Sequence, residues 1–177
     1  MKVNTKIYKG LTLFDIDLSF FNDKGKDTLF LDLDNTLDIF SSKKPSVKTI
    51  ELVKKIKQNG IKVVIVSNNN KKRVEEYAKM IEVEYVYRCF KPFTAKINSF
   101  IEKNELKKDK IILIGDQFMT DIKCANSLGV DSIYTDELEH KNALISYFNK
   151  TLEKFVVKKY KKYFLEVEDK YVITKKS

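Results

Sequence analysis

The sequence predicts an α/β protein: a three-layer arrangement in which a parallel β-sheet carries helices on both faces. Three observations point there. Short apolar runs rich in β-branched residues recur at 28–33, 62–66, 84–87, 110–114 and 131–134. Stretches with helical spacing of apolar residues separate them. The runs are also apolar throughout rather than alternating, which is the pattern of strands buried on both sides.

The first run, Thr28 to Leu33, reads as a buried strand and leads into Asp32-Leu33-Asp34-Asn35-Thr36. Two carboxylates at the tip of an apolar strand are costly unless a cation satisfies them; a strand entering an Asx turn would look similar. Val47, Ile50, Val53 and Ile56 form the stripe of the next helix, which stops at Asn59-Gly60. Lys62-Val63-Val64-Ile65-Val66 is the second strand and ends in Ser67-Asn68-Asn69-Asn70. Tyr77, Met80 and Ile81 mark a second helix, followed by the strand at 84–87 and by Lys91-Pro92 on the loop that leaves it. Phe93, Ile97, Phe100 and Ile101 mark a third helix. The strand at 110–114 runs into Gly115-Asp116 and on to Asp121, and Ile122, Ala125 and Leu128 before Gly129 mark a fourth helix. In parallel sheets ligands sit beyond the carboxyl ends of the strands, and four polar clusters fall there.

Composition bounds the chemistry. A chain of 177 residues, 43% hydrophobic, suits one domain with a sizeable core. No continuous apolar run is long enough to span a bilayer, and the start of the chain lacks the apolar segment of a secretion signal. Cys89 and Cys124 are isolated thiols that suit a reducing cytoplasm. With His140 as the single histidine, multi-histidine metal sites are excluded and a Ser/His/Asp or Cys/His triad is hard to build. Catalysis then falls to carboxylates, lysine, hydroxyls and an oxygen-liganded metal. The net charge of +9 asks for an anionic partner. Only Arg73 and Arg88 are arginines, which disfavours sequence-specific nucleic-acid recognition.

Taken in order, the DxDxT sequence of Asp32, Asp34 and Thr36, the strand-closing Ser67, Lys91-Pro92, and Gly115-Asp116 with Asp121 resemble the haloacid dehalogenase-like superfamily. Asp116 alone would also suit a helix N-cap, Ser67 to Asn70 a capped loop, and Lys91 an exposed lysine; their joint order at strand ends is what those readings leave unexplained. Ser67-Asn68-Asn69, Gly115-Asp116-Gln117 with Thr120-Asp121-Ile122, and the lead-in Phe14-Asp15-Ile16-Asp17-Leu18 narrow the likeness to subfamily IIIA and its YqeG-type phosphatases, related to mitochondrial phosphatidylglycerophosphate phosphatase.

The resemblance implies a Rossmann-like core over about 28–135 within a single domain, 1–177. It implies Asp32 as nucleophile, Asp34 as general acid and base, and Thr36 steadying Asp34 and its loop. Thr36, Ser67, the Asn68 N–H and Lys91 are implied to hold the phosphoryl group, Lys91 also balancing charge at Asp32. Mg²⁺ is implied as cofactor, held by Asp32, the Asp34 backbone carbonyl and Asp116, with Asp121 acting through water or set by Lys91. About a dozen residues between Asp34 and Val47, and one helix and one strand between Ser67 and Lys91, leave no room for a cap domain. The implied activity is phosphomonoester hydrolysis on phosphatidylglycerophosphate. Alternatives are a soluble sugar, histidinol or nucleotide phosphate, and an RNA- or ribosome-binding module on the same fold.

From Leu144 the apolar residues Tyr147, Phe148, Leu152, Phe155, Val156, Tyr160 and Phe164 alternate with lysines, giving a basic amphipathic helix over about 141–164. Segment 141–177 holds ten lysines against four acids. Such a helix either packs on its own domain, lysines to solvent, or lies on an anionic membrane. The expected location is cytoplasmic, peripheral on the inner membrane face, with an anionic lipid headgroup as partner. Residues 165–177 read as an added short strand or a loose end.

Overall fold

A computed structural model of the protein describes residues 1–138 and 144–173, without the side chains of 144–150 and 152. His140, the side chains of Leu144, Tyr147, Phe148, Lys150 and Leu152, and residues 174–177 lie outside the described residues.

The chain forms one seven-stranded sheet. In chain order its elements are β1 (Ile7–Lys9), α1 (Ser19–Asp23), β2 (Thr28–Leu31), α2 (Val47–Gln58), β3 (Lys62–Val66), α3 (Lys71–Met80), β4 (Glu84–Val86), α4 (Ala95–Lys103), β5 (Ile111–Gly115), α5 (Lys123–Leu128), β6 (Asp131–Tyr134), α6 (Leu144–Tyr160) and β7 (Phe164–Glu166). The strand order is β4-β3-β2-β5-β6-β1-β7 and every pairing is parallel. The predicted α/β class holds, and the five expected strands are present with ends shifted by a residue or two.

The pleat explains why these runs show no alternation. Leu29 and Leu31 face one layer, where Phe20, Phe21, Val53, Ile56, Val74 and Tyr77 from α1, α2 and α3 close over them. Phe30, between them, faces the other layer with Val64, Val66 and Leu113, covered by Ile97, Ile101, Cys124 and Leu128 from α4 and α5. Both faces are dry, so both sets must be apolar.

Helix starts and stops follow local chemistry. The Ser46 hydroxyl accepts from the Thr49 N–H and opens α2, and the Asn70 side-chain oxygen accepts from the Arg73 N–H and opens α3. Gly129 closes α5 at φ +78°, a left-handed position that glycine takes without strain.

Three expectations need correction. Val47 and Ile50 do not lie on the buried stripe of α2: they are 71% and 43% exposed, while Thr49, Val53 and Ile56 face the sheet. Met80, at the end of α3, is exposed, and Phe93 precedes α4 and is also exposed. Helical spacing alone cannot tell a buried stripe from one rotated toward solvent. β1 was not anticipated, because three residues between polar neighbours carry too little signal.

The C-terminal helix α6 packs on the sheet's β6–β1 end. Tyr160, Val156 and Val157 join Ile7, Phe118 and Ile122 in a third apolar cluster, and Tyr160 stacks on Phe118 with ring centroids 5.2 Å apart. Phe155 is exposed rather than part of that seam. β7 then pairs with β1, so residues 164–166 are an added strand, and Val172 bridges Ile16. Among the described residues no helix is long and apolar enough to cross a membrane.

The two kinds of α2 position should behave differently. Ile56→Ala, which empties a fully buried site, should cost about 2–5 kcal/mol in urea unfolding, whereas Val47→Ala should stay within about 0.5 kcal/mol. Similar losses at both would return Val47 to the core.

Candidate active site

The carboxyl ends of β2, β3 and β5 and the loop after β4 meet in a cleft of about 260 Å³ lined by Asp32, Asp34, Ser67, Asn68, Lys91 and Asp121, with Phe40 at its edge. Each residue arrives from a different element. Asp32 continues β2, its N–H still donating to Ile114 O of β5 at 3.0 Å. Ser67 extends β3. Lys91 reaches in from the β4–α4 loop. Asp116 and Asp121 follow β5.

Lys91 organises the centre. Its ammonium donates to Asp32 Oδ1 at 2.6 Å and to Val66 O at 2.8 Å, and it lies 2.6 Å from Asp121 Oδ1. All three of its donor positions are therefore used in a site where the lysine is buried. Burial works against its charge, but the Asp121 and Asp32 carboxylates more than offset this and hold the ammonium charged far above the physiological range. The lysine loop is itself clamped: the Asn68 side-chain oxygen accepts from the Lys91 N–H at 2.7 Å, and its amide donates to Lys91 O at 3.2 Å.

The acidic side of the site is crowded. Ligand atoms of Asp32, Asp116 and Asp121 lie within 4.8 Å of one another, all three residues buried. Burial pushes the Asp32 carboxyl up to about 6 despite Lys91, and burial followed by the charges of Asp32 and Asp121 pushes Asp116 up to about 8. Asp116 Oδ1 accepts from the Thr36 hydroxyl at 3.2 Å, while its Oδ2 is buried without a partner. A buried carboxylate oxygen with no donor, in a group of three acids, fits a hard divalent cation with oxygen ligands. The residues present therefore fit Mg²⁺.

A close backbone approach sets Asp121. A Cβ added at Gly115 would fall 2.4 Å from Asp121 Cγ, so the aspartate lies across a position that only glycine can occupy. Its Oδ2 accepts from the Gln117 N–H at 3.1 Å. The turn Phe118–Ile122 that carries it is a π-helical turn, and its free end is capped by Glu153 of α6, which accepts from the N–H groups of Phe118 and Met119.

Asp34 is held apart from this cluster. Arg73 Nη2 donates to Asp34 Oδ1 at 2.5 Å, and the Asn69 amide donates to Oδ2. The same guanidinium donates to Phe40 O and Ser42 O, tying the loop after Asp34 to α3. That loop is braced from below by Asp38, whose Oδ2 accepts from Tyr77 OH, Thr49 Oγ1 and the Ser46 N–H.

The structure thus brings Asp32, Asp34, Ser67, Asn68, Lys91 and Asp121 to one cleft, with Asp116 behind it. Thr36, expected to steady Asp34 and to bind phosphate, does not line the cleft: it is buried beneath it and donates to Asp116 instead. Sequence reasoning missed Asn69, Arg73 and Glu153. Arg73 carried a faint signal as one of two arginines close after the Asn run; Glu153, in a lysine-rich helix, carried none.

A buried acidic group beside a lysine at the strand ends of an open parallel sheet offers a place for a cation and an anionic ligand side by side. A family model for haloacid dehalogenase-like hydrolases matches residues 1–129, and the chain belongs to that family. It is 30% identical over 145 residues to a Bacillus subtilis (strain 168) protein described as "Probable phosphatase YqeG", covering 82% of this chain and 84% of that one. Two solved structures share the fold at 15% identity and TM-scores of 0.53: hypothetical protein XCC2798 from Xanthomonas campestris, over 70% of this chain and 72% of that one, and an uncharacterized protein from Listeria monocytogenes serotype 4b, over 75% and 98%.

Two outcomes follow from this geometry. Gly115→Ala must displace Asp121, so activity should fall about tenfold or more while thermal unfolding stays cooperative; wild-type turnover would show that Asp121's position is not critical. The raised carboxyls also fix a pH dependence. Asp32 and Asp116 bind protons more tightly in the folded than in the unfolded chain, whose carboxyls titrate near about 4. Metal-free protein should therefore lose stability as pH rises from about 4 to 8, and added Mg²⁺ should restore it, since the cation favours ionised ligands. Asp116→Asn should flatten the upper part of that slope and abolish the Mg²⁺ gain in melting temperature. A metal-free stability that rises across this window would contradict the assignment.

Proposed function

We propose that the chain is a Mg²⁺-dependent phosphomonoester hydrolase that works through an aspartyl phosphate on Asp32, acting as a single unit over residues 1–177. The observation that carries the reading is Asp32 in an open cleft, 2.6 Å from the Lys91 ammonium and grouped with Asp116, whose Oδ2 lacks a donor. A carboxylate cannot approach a phosphate dianion without cations beside it, and catalysis of phosphoryl transfer is mostly positioning and charge neutralisation.

Mg²⁺, held by Asp32, Asp116 and the Asp34 carbonyl with Asp121 near, would supply the second positive charge that phosphate needs there. Every proton and bond is handled by the chain. Ser67 and the Asn68 N–H hold phosphoryl oxygens while Lys91 neutralises Asp32. The Asp32 carboxylate oxygen attacks phosphorus; the P–O bond to the leaving group breaks, and Asp34 gives that oxygen its proton. Asp34, now ionised, takes a proton from water as the water attacks phosphorus, releasing phosphate and restoring Asp32. Asp34 enters the cycle protonated and regains its proton from the attacking water, Arg73 and Asn69 fix where its side chain sits, and Thr36 orients Asp116.

The favoured substrate is phosphatidylglycerophosphate at the inner face of a membrane, with the protein cytoplasmic and peripheral. Support comes from the YqeG-type resemblance and from a cleft with no cap over it: among the described residues only loop lies between β2 and α2, and only α3 between β3 and β4. A bulky phosphoester can therefore reach it. A soluble sugar, histidinol or nucleotide phosphate is the second reading, favoured by the same openness to small monoesters.

The test is phosphate release from phosphatidylglycerophosphate vesicles and from soluble monoesters, with and without Mg²⁺. Asp32→Asn should abolish release on all of them with the fold intact; retention of more than about a tenth of wild-type turnover would rule out covalent catalysis through Asp32. Asp34→Asn should recover its first step, and not its second, with an activated leaving group that needs little protonation. Equal wild-type rates on both ester types would remove Asp34 from the mechanism.

A further inference from the structure

We infer that the rim of the active-site cleft is itself a docking face for an anionic lipid bilayer, with Phe90 and Phe93 entering the interface and Phe40 beside the cleft mouth. This rests on the reading of a membrane-borne phosphoester as substrate and says how the open cleft is brought to it.

The apolar component is concentrated at this edge. The strongly exposed phenylalanines among the described residues are Phe40, Phe90, Phe93 and Phe155, and the first three border the cleft: Phe40 lines it, and Phe90 and Phe93 flank Lys91-Pro92. Phe90 and Phe93 are 59% and 72% exposed, and the Phe93 N–H donates to Phe90 O at 3.0 Å, so they belong to one turn. The exposure is built in. Arg88 and Phe90 take left-handed φ values of +47° and +53°, which bulky residues adopt only at a cost. Around them Cys89 and Lys91 are buried, so the strained backbone points the arginine and the phenylalanine outward while the lysine reaches the site.

The charge is as one-sided as the apolar surface. Segments 39–50, 67–73 and 87–101, which form three sides of the rim, contain no aspartate or glutamate, although the chain has 25. Their exposed side chains include Lys43, Lys44, Lys71, Lys72, Arg88 and Lys96. Lys96 lies 5.8 Å from the Phe90 ring centroid, so cation and ring sit together. Protruding phenylalanines beside exposed lysines, on rim segments without acids, complement an anionic headgroup layer over an acyl interior. The basic charge is mostly lysine, and the rings stand on loop tips rather than on a sheet platform, which fits a bilayer better than the stacked bases of RNA.

The chain contains no tryptophan, so one introduced at each exposed phenylalanine reports on its own surroundings. Phe93→Trp and Phe155→Trp proteins would be mixed with vesicles of equal parts phosphatidylcholine and phosphatidylglycerol, which carry no phosphomonoester. Trp emission from the Phe93→Trp protein should shift to the blue and be quenched by brominated acyl chains, and that from Phe155→Trp on α6 should do neither. Phe90→Asn with Phe93→Ser should weaken vesicle co-sedimentation at least about tenfold while turnover of a soluble phosphomonoester stays within about twofold; asparagine suits the left-handed position, and Phe93→Ser alone, which leaves that backbone untouched, should also weaken binding. An unshifted Phe93→Trp spectrum, a shift confined to Phe155→Trp, wild-type sedimentation by the double variant, or binding of polyuridylate in place of vesicles would overturn the proposal. Vesicle insertion without hydrolysis of phosphatidylglycerophosphate would uphold the docking face and remove only the lipid-substrate reading.

Discussion

The site depends on one buried ammonium. Lys91 is enclosed by Asp32, Asp121 and the carbonyl of Val66, and none of these could be where it is without the others. An unpaired lysine at that depth would lose its proton or leave, and two or three carboxylates without it would repel one another. The surrounding sheet makes the arrangement affordable because its apolar strands fix the Cα positions. β2, β3 and β5 are adjacent and in parallel register, so residues just past their ends emerge side by side. Cross-strand geometry therefore delivers Asp32, Ser67 and Asp116 to one place, and the clamp from Asn68 to the Lys91 backbone brings in the fourth.

The two aspartates of the DxD sequence have opposite surroundings. Asp32 is buried against Lys91 and the other acids, with its carboxyl pushed up to about 6. Asp34 is held by donors, Arg73 and Asn69, on the wall of the cleft. On a continued strand the two would share a face, but β2 ends at Leu31 and the chain turns, so this pair is split between a lysine and an arginine. In the proposed mechanism that division serves two different tasks, one carboxyl reacting at phosphorus and one moving protons. The loop beyond Asp34 is held at both ends, by Arg73 on its outer side and by the Asp38, Tyr77 and Thr49 network beneath, so it closes one side of the cleft without a separate domain.

The sheet and most of the site could be read from the chain because their signals are local. A buried parallel strand must be apolar over its whole length, and polar residues at its end stand out. Hence Asp32, Ser67, Lys91 and Asp116 could be named from the chain alone. What stayed hidden depends on rotation or distance. Val47 and Ile50 share a helical period with Val53 and Ile56, yet the helix is turned so that they face solvent. Thr36 points to Asp116, 80 residues away, and not to its neighbour Asp34. Glu153 is invisible in a lysine-rich helix until the fold places it at the N–H groups of Phe118 and Met119. Three-residue β1 could not be seen because a run that short between polar neighbours carries no pattern of its own.

Glu153 also ties the site to the direction of synthesis. The turn that carries Asp121 has its open N–H groups filled by a residue of α6, and Tyr160 of the same helix lies against Phe118 in that turn. Folding during translation proceeds from the N-terminus, so β2, β3 and the DxD sequence are available long before α6 emerges. Before α6 is made, the chain lacks both the edge strand β7 and the cap on the turn that carries Asp121. Completion of the acidic arm is thus deferred until α6 has been made, more than 100 residues after the first aspartate of the site.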